Sequence, residues 1–314
     1  METTLVINNV PNADDLWAGI GGHFDNLGQI INEFLDNSIS NFAGNRCETR
    51  NIIIRLKELE ANGDVRISIE DSGTGIKMLN EAFSLGNRSV AESPLNEHGF
   101  GMKHALASAN PGNDSWEIYT RTTEDVATHS YKKISSAYKI DGYEGAVITN
   151  ERWPGKLNNT GTLVVFTCTR EMYQTITRGL KGGIRAFRSI ADVLCEDIGF
   201  VYAGVIQRGD ASITIEVVDS NGNSFSRAIG ALTPDWEDFI RPGSGVENVD
   251  LGGGTVAIEY KFGKINEKAK REEFDNSTAR KYYQKNISSS GVEIRINGLK
   301  VYYIILTIIL YSNN

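Results

Sequence analysis

Glu33, Asp36 and Asn37 sit three and four residues apart in the stretch INEFLDNSIS (residues 31–40), so a helix carries all three on one face. Two carboxylates and an amide with no cation beside them are an unbalanced set, because the first basic residue of the chain is Arg46. Such side chains suit oxygen chemistry: attracting a hard cation, or taking a proton from water. They equally suit a plain polar helix face. Further on, Asp71, Gly73 and Gly75 fall in EDSGTGI (residues 70–76), and Gly99 and Gly101 in HGFGMKHALASA (residues 98–109). Asp and Gly together make either a strand-ending turn or an acceptor that a ligand can approach closely. Glycines ahead of a helix can be a cap or a close-packing site.

The elements that must position these residues follow from periodicity. Apolar Leu27, Ile31, Phe34, Leu35, Ile39 and Phe42 recur every three to four residues, which predicts a helix over 27–42 buried on one face. Strands are predicted at 51–57 and 64–70, joined by the hairpin signal Asn62-Gly63. Residues 85–96 are polar and weakly patterned, which predicts a loop; residues 98–109 run from glycines into a helix. Further strands are expected at 115–121, 136–140, 146–149 and 161–169, then one long amphipathic helix within 183–206. Strands at 212–218 and 255–262, with a turn at Asn221-Gly222, make a second α/β pattern. A domain boundary is expected near 171–182, giving domains at 1–175 and 176–314.

Length and composition fit this reading. A chain of 314 residues with 40% hydrophobic and 23% charged residues has the makeup of a soluble globular protein of about two domains. The net charge of −8 argues against bulk nucleic-acid binding and leaves a local basic patch open. Basic residues at 261–271 and 280–285 alternate with acids and read as solvated surface. Cys47, Cys168 and Cys195 are scattered and odd in number, which predicts core thiols in a reducing, cytoplasmic setting. No secretory signal opens the chain, and the apolar run 301–310 is too short to cross a bilayer, so a buried strand is expected there and no membrane partner. Neither a Walker phosphate loop nor the protein-kinase motifs occur.

Taken together, the motifs EFLDN (33–37), DSGTG (71–75), HGFGMK (98–103) and TGT (160–162), in that order, resemble the GHKL ATPase superfamily. That superfamily covers gyrase B-subunits, histidine-kinase catalytic domains, MutL proteins, ninety-kilodalton heat-shock chaperones and MORC proteins. The resemblance implies an α/β fold, a two-layer α+β sandwich of the Bergerat type with a mixed sheet covered by helices on one face. It implies ATP and Mg²⁺ as cofactors, which supplies the missing cation from solution. Asn37 would be the metal ligand, Glu33 the general base on the attacking water, and Asp36 an accompanying acid. Asp71 would accept from the exocyclic amine of adenine, with Gly73, Gly75 and Ile76 passing close to the base and Thr162 as a second adenine-side contact. Gly99, Phe100, Gly101 and Met102 would form the phosphate cradle, Lys103 would add a phosphate contact or stay a solvated lysine, and Ser89 would lie in a lid spanning 85–97.

The region after Gly183 resembles the transducer domain of gyrase, MutL and MORC proteins, with MORC-type relatives the nearest in pattern. There Lys300, with Lys285 as the alternative, would reach the γ-phosphate, and the domain is expected to be incomplete at its C-terminal end. The short stretch ahead of residue 27 argues against a histidine kinase. The implied activity is a Mg²⁺-dependent ATPase acting as an ATP-gated homodimerisation switch. Its N-terminal segment would exchange between subunits, and it would work with a protein partner in a nucleic-acid-handling or defence system. A non-hydrolysing ATP-binding scaffold and a heat-shock-type chaperone are the alternatives.

Overall fold

A computed structural model of the 314-residue chain describes residues 12–84, 101–139, 142–180, 183–234, 243–250, 255–262, 291–296 and 299–305. The expected α/β architecture is present. Eight strands form one mixed sheet: β1 (Asn51–Glu58), β2 (Val65–Asp71), β3 (Trp116–Arg121), β4 (Ser130–Ser135), β5 (Glu144–Thr149), β6 (Gly161–Cys168), β7 (Ser212–Val218) and β8 (Ser224–Ala228). Their order is β5-β4-β3-β6-β2-β1-β7-β8, and all neighbours are antiparallel except β1 and β7. The β1–β2 hairpin turns through Asn62 in the left-handed region, as its Asn-Gly dipeptide predicts.

Strand alternation gives the sheet two unlike faces. One carries Ile52, Ile54, Leu56, Ile67, Ile69 and Phe166, all buried. The helix α2 (Leu27–Asn45) packs on that face, with Phe34 against Phe166 at 5.8 Å between ring centres. Asn26 caps α2 by accepting from the Gln29 N–H, and Arg46 closes it in the left-handed conformation. A helix that was not expected, α1 (Ala13–Ile20), starts on an Asn12 cap and stacks Trp17 on Trp116 of β3. Two further helices, α3 (Leu79–Phe83) and α4 (Gly101–Ala109), lie between β2 and β3 in sequence. The opposite face is polar and tied by ion pairs: Arg55 bridges Glu70 and Glu216, and Glu117 takes Lys133.

Three expectations are corrected. Residues 136–139 are not a strand; β4 lies just before them, preceded by α5 (Thr123–Ala127), whose Thr122–Asp125 capping box starts a helix in a segment with little apolar period. The long helix expected within 183–206 is two, α7 (Phe187–Val201) and α8 (Ala203–Arg208), which follow the short α6 (Arg170–Gln174). The compact units also divide elsewhere than near 171–182. One comprises Met1–Asp197 with Ile206–Ile229, because β7 lies parallel to β1 and extends the first sheet; the other comprises Ile198–Val205 with Gly230–Asn314. In the second unit β9 (Gly243–Asp250) pairs with β10 (Thr255–Phe262), and β11 (Gly291–Ile296) with β12 (Leu299–Ile305), all antiparallel. Part of the apolar run 301–310 is therefore strand. Among the described residues no helix is long and apolar enough to cross a membrane.

Candidate functional site

Three adjacent strands end in a row of polar side chains on the helix-covered face. Glu70 pairs with Leu163 and Thr162 with Thr120, so Asp71, Thr162 and Thr120 stand side by side at the ends of β2, β6 and β3. Asp71 is buried, at 8% exposure, with no cation paired to it among the described residues. Its Oδ1 accepts from the Gly73 N–H at 2.8 Å and the Thr162 N–H at 3.3 Å, and its Oδ2 lies 3.3 Å from the Ser38 hydroxyl. Burial pushes the Asp71 carboxyl up from 3.8 to about 6, against the lowering effect of those three donors. A buried carboxylate with a free lone pair is an acceptor that selects for an N–H donor and against a carbonyl oxygen.

The turn after Asp71 is pinned from two sides. On the α2 side, Asn41 Oδ1 accepts from the Thr74 N–H at 3.0 Å while its Nδ2 donates to Thr74 Oγ1 at 3.2 Å. On the sheet side, the Ile76 N–H donates to Thr120 Oγ1 at 2.7 Å. Gly75 has φ +73° and lies on the Arg121 carbonyl, and Gly161 has φ +137° and lies on the Asp71 carbonyl, so neither position has room for a Cβ. Ser38, Asn41 and Thr120 were not singled out in the sequence. The helical spacing of Asn41 from Asn37, and of Ser38 from Asn41, was the only signal, and Thr120 gave none.

The second part of the site joins α2 to α4. A Cβ on Gly101 would overlap Glu33 Oε2, so the carboxylate rests directly on the first residue of α4. Glu33 is half-buried, and burial raises its carboxyl above the usual range. Among the described residues Glu33 and Asn37 make no side-chain hydrogen bond or ion pair. Asp36, also half-buried, does have a partner. Met102 lies in the first turn of α4. Lys103 is buried, at 3% exposure, and donates to the Ser84 carbonyl at 2.9 Å, with its ammonium pushed down to about 8 by burial; it is not a solvated helix lysine. Ser89, Gly99, Phe100 and the expected lid at 85–97 lie outside the described residues, as do Lys285 and the segment 1–11. Lys300 lies in β12 opposite Arg295.

The arrangement sets a buried acceptor at Asp71 and the glycine-started helix α4 at Gly101 on the same helix-covered face, groups of the kinds that recognise an amine and a phosphate. The residues fit Mg²⁺ as well. Among the described residues no three His, Cys, Asp or Glu side chains gather into a metal cluster. One amide oxygen, at Asn37, is the kind of ligand that Mg²⁺ combines with phosphate oxygens and water.

Comparison with known proteins agrees at the level of one domain. Residues 22–125 match the family described as "Histidine kinase-, DNA gyrase B-, and HSP90-like ATPase", a span that holds Glu33, Asn37, Asp71 and Gly101. No curated protein matches the chain. Among solved structures, one described as "Crystal Structure of N terminal domain of a DNA repair protein" is similar at 14% identity and a TM-score of 0.43, covering 80% of this chain and 70% of that chain.

Proposed function

We propose, from the GHKL-type ATPase domain carried at residues 22–125, that the protein binds Mg-ATP, hydrolyses it, and uses the nucleotide to gate its own dimerisation. The observation that carries the hydrolytic reading is the contact between Glu33 and Gly101. It sets a carboxylate of raised pKa, without a partner among the described residues, on the N-terminal residue of the helix whose N–H groups suit phosphate. A carboxylate with its affinity for protons raised is a better base near neutral pH.

Asp71, helped by Ser38 and the Thr162 backbone, would read the adenine amine, with Gly73, Gly75 and Ile76 forming the turn beneath the base. Gly101 and Met102 would offer backbone N–H groups to the phosphates, with Ser89, Gly99 and Phe100 completing that side. Asn37 would hold Mg²⁺, which supplies charge neutralisation on the phosphates when bound. Asp36 would orient its neighbours on α2. Glu33 would take the proton of the attacking water. Lys103 would fix the start of α4 through the Ser84 carbonyl, and Lys300 would sense the γ-phosphate. Dimerisation follows from coupling: a nucleotide that binds one state better shifts the population toward it.

Mg-ATP turnover, measured over a range of protein concentrations beside Glu33→Ala, tests the reading. Turnover that rises with concentration and is lost in Glu33→Ala, while ATP binding survives, is expected. Equal turnover in both proteins would refute the role of Glu33, and absence of ATP binding would refute the site.

A further inference from the structure

On the polar face of the sheet, behind the adenine-side strand ends, an open cavity of about 440 Å³ is lined by Arg121, Arg152, Trp153, Lys156, Asn158 and Asn159 among others. We propose that this cavity binds a phosphate group, presented by a nucleic-acid backbone or as a free polyphosphate.

The argument is one of charge. The chain carries a net −8, and Arg55, Lys132, Lys133 and Arg170 each reach a carboxylate at 3.0 Å or less. Arg121, Arg152 and Lys156 do not. Among the described residues none of the three is in an ion pair, although they line one hollow. Among the described residues Arg121 spends only its Nε–H, on the Ser130 carbonyl at 2.9 Å, which leaves the outer edge of its guanidinium for a ligand. The buried Glu70 beside the hollow is already neutralised: it accepts from the Lys156 and Leu157 N–H groups and pairs with Arg55.

The hollow is also built. Glu70, 1% exposed, holds the loop at 156–157 through two backbone donors. Trp153, 8% exposed, is wedged edge-on against Tyr131 at 5.6 Å, and its indole N–H has no hydrogen-bond acceptor among the described residues. A rim with two guanidinium groups, one ammonium and two amides, set on a loop anchored by Glu70, matches the donors that contact phosphates in nucleic-acid complexes. The cavity opens to solvent, which a backbone needs in order to pass through. Strand alternation separates this site from the proposed nucleotide site: Glu70 and Arg121 point to one face, Asp71 and Thr120 to the other.

Binding of a labelled single-stranded oligonucleotide of about 20 nucleotides, and separately of tripolyphosphate, is measured by anisotropy and calorimetry across a salt series with the proposed nucleotide site saturated by a non-hydrolysable ATP analogue. The proteins are the full chain, the double variant Arg152→Glu/Lys156→Glu, and Lys57→Glu, which changes net charge at an exposed site outside the cavity. Each single-strand phosphate contact contributes about 0.7 to the slope of log affinity against log salt, so the double variant is expected to lose about 1.4 of slope and to bind at least about tenfold more weakly. Lys57→Glu should keep the full slope, and ATP affinity should be equal in all three. Oligonucleotide binding lost in the double variant assigns a nucleic-acid source. Tripolyphosphate binding alone, lost in the same variant, assigns a free anion. No binding of either, or binding that the double variant retains or that Lys57→Glu weakens equally, overturns the proposal.

Discussion

Replacing Asp71 with Asn should stabilise the protein while removing its hold on adenine. Asp71 is buried, and its carboxyl is raised from 3.8 to about 6, so at neutral pH the fold carries a charge that it would rather see protonated. The difference of about two pKa units corresponds to about 3 kcal/mol of stability given up between the protonated and ionised forms. The sign follows from linkage. Between the unfolded value and the folded one the native state binds more protons, so this contribution is complete below about pH 4, falls as pH rises through that interval, and is fully lost above about pH 6. In Asp71→Asn the new amide oxygen would keep the Gly73 and Thr162 donors. The new amide N–H would also relieve Ser38, whose single proton now lies 2.9 Å from the Phe34 carbonyl and 3.3 Å from Asp71 Oδ2, by donating to that hydroxyl instead. Urea unfolding of both proteins at about pH 4 and about pH 8 measures the effect, and the advantage of Asp71→Asn should grow by about 2–3 kcal/mol between the two. ATP affinity should fall on the order of a hundredfold, because an amide N–H then faces the adenine amine. An advantage that does not change with pH would refute the buried-charge argument, and unchanged ATP affinity would refute the adenine assignment.

Other perturbations follow from the same contacts. Gly101→Ala should lower turnover by about tenfold or more by displacing the Glu33 carboxylate, and the stability it costs should shrink in a Glu33→Ala background, a non-additivity that a double-mutant cycle of unfolding free energies reads directly. Thr120→Val removes the acceptor of the Ile76 N–H, and about 1–3 kcal/mol of stability should be lost in denaturant unfolding, with weaker ATP binding in calorimetry. Asn41→Ala frees the Thr74 turn on its α2 side, and is expected to weaken ATP binding more than it lowers the unfolding midpoint. Gly161→Ala meets both a φ of +137° and the Asp71 carbonyl, so a loss of several kcal/mol, seen as a large drop in Tm or failure to fold, is expected.

Much of the first sheet was legible because its signals are local. The period of apolar residues in α2, the alternation in β2 and the Asn62-Gly63 turn each act within a few residues, and each element appears where its pattern lies. The elements that were misread lack such a pattern. Residues 130–135 read SYKKIS, and two lysines in a strand become acceptable only because Lys132 reaches Asp125 and Lys133 reaches Glu117. The domain boundary misled for a related reason. That β7 lies parallel beside β1 is a contact between residues far apart in the chain, such as Ile54 and Ile215, which no window of sequence displays.

The candidate site divides along the same line. Glu33, Asn37, Asp71 and the glycines stood out because motif spacing is a local property. Thr120 belongs to the site only through register, two strands away from Asp71, and nothing around it in WEIYTR marks it. Register also explains how one set of strand ends can carry the two sites proposed above. Neighbouring residues on a strand face opposite ways, so Glu70 and Asp71 can both be buried acids with opposite assignments. Glu70 is neutralised by Arg55 and anchors the loop over the basic hollow, whereas Asp71 has no paired cation among the described residues and stays an acceptor in need of a donor. Exchanging the two environments would silence both sites. An Asp71 paired with arginine would have no lone pair to spare for adenine, and a Glu70 without one would release residues 156–157 and set an unpaired carboxylate behind Arg121, Arg152 and Lys156.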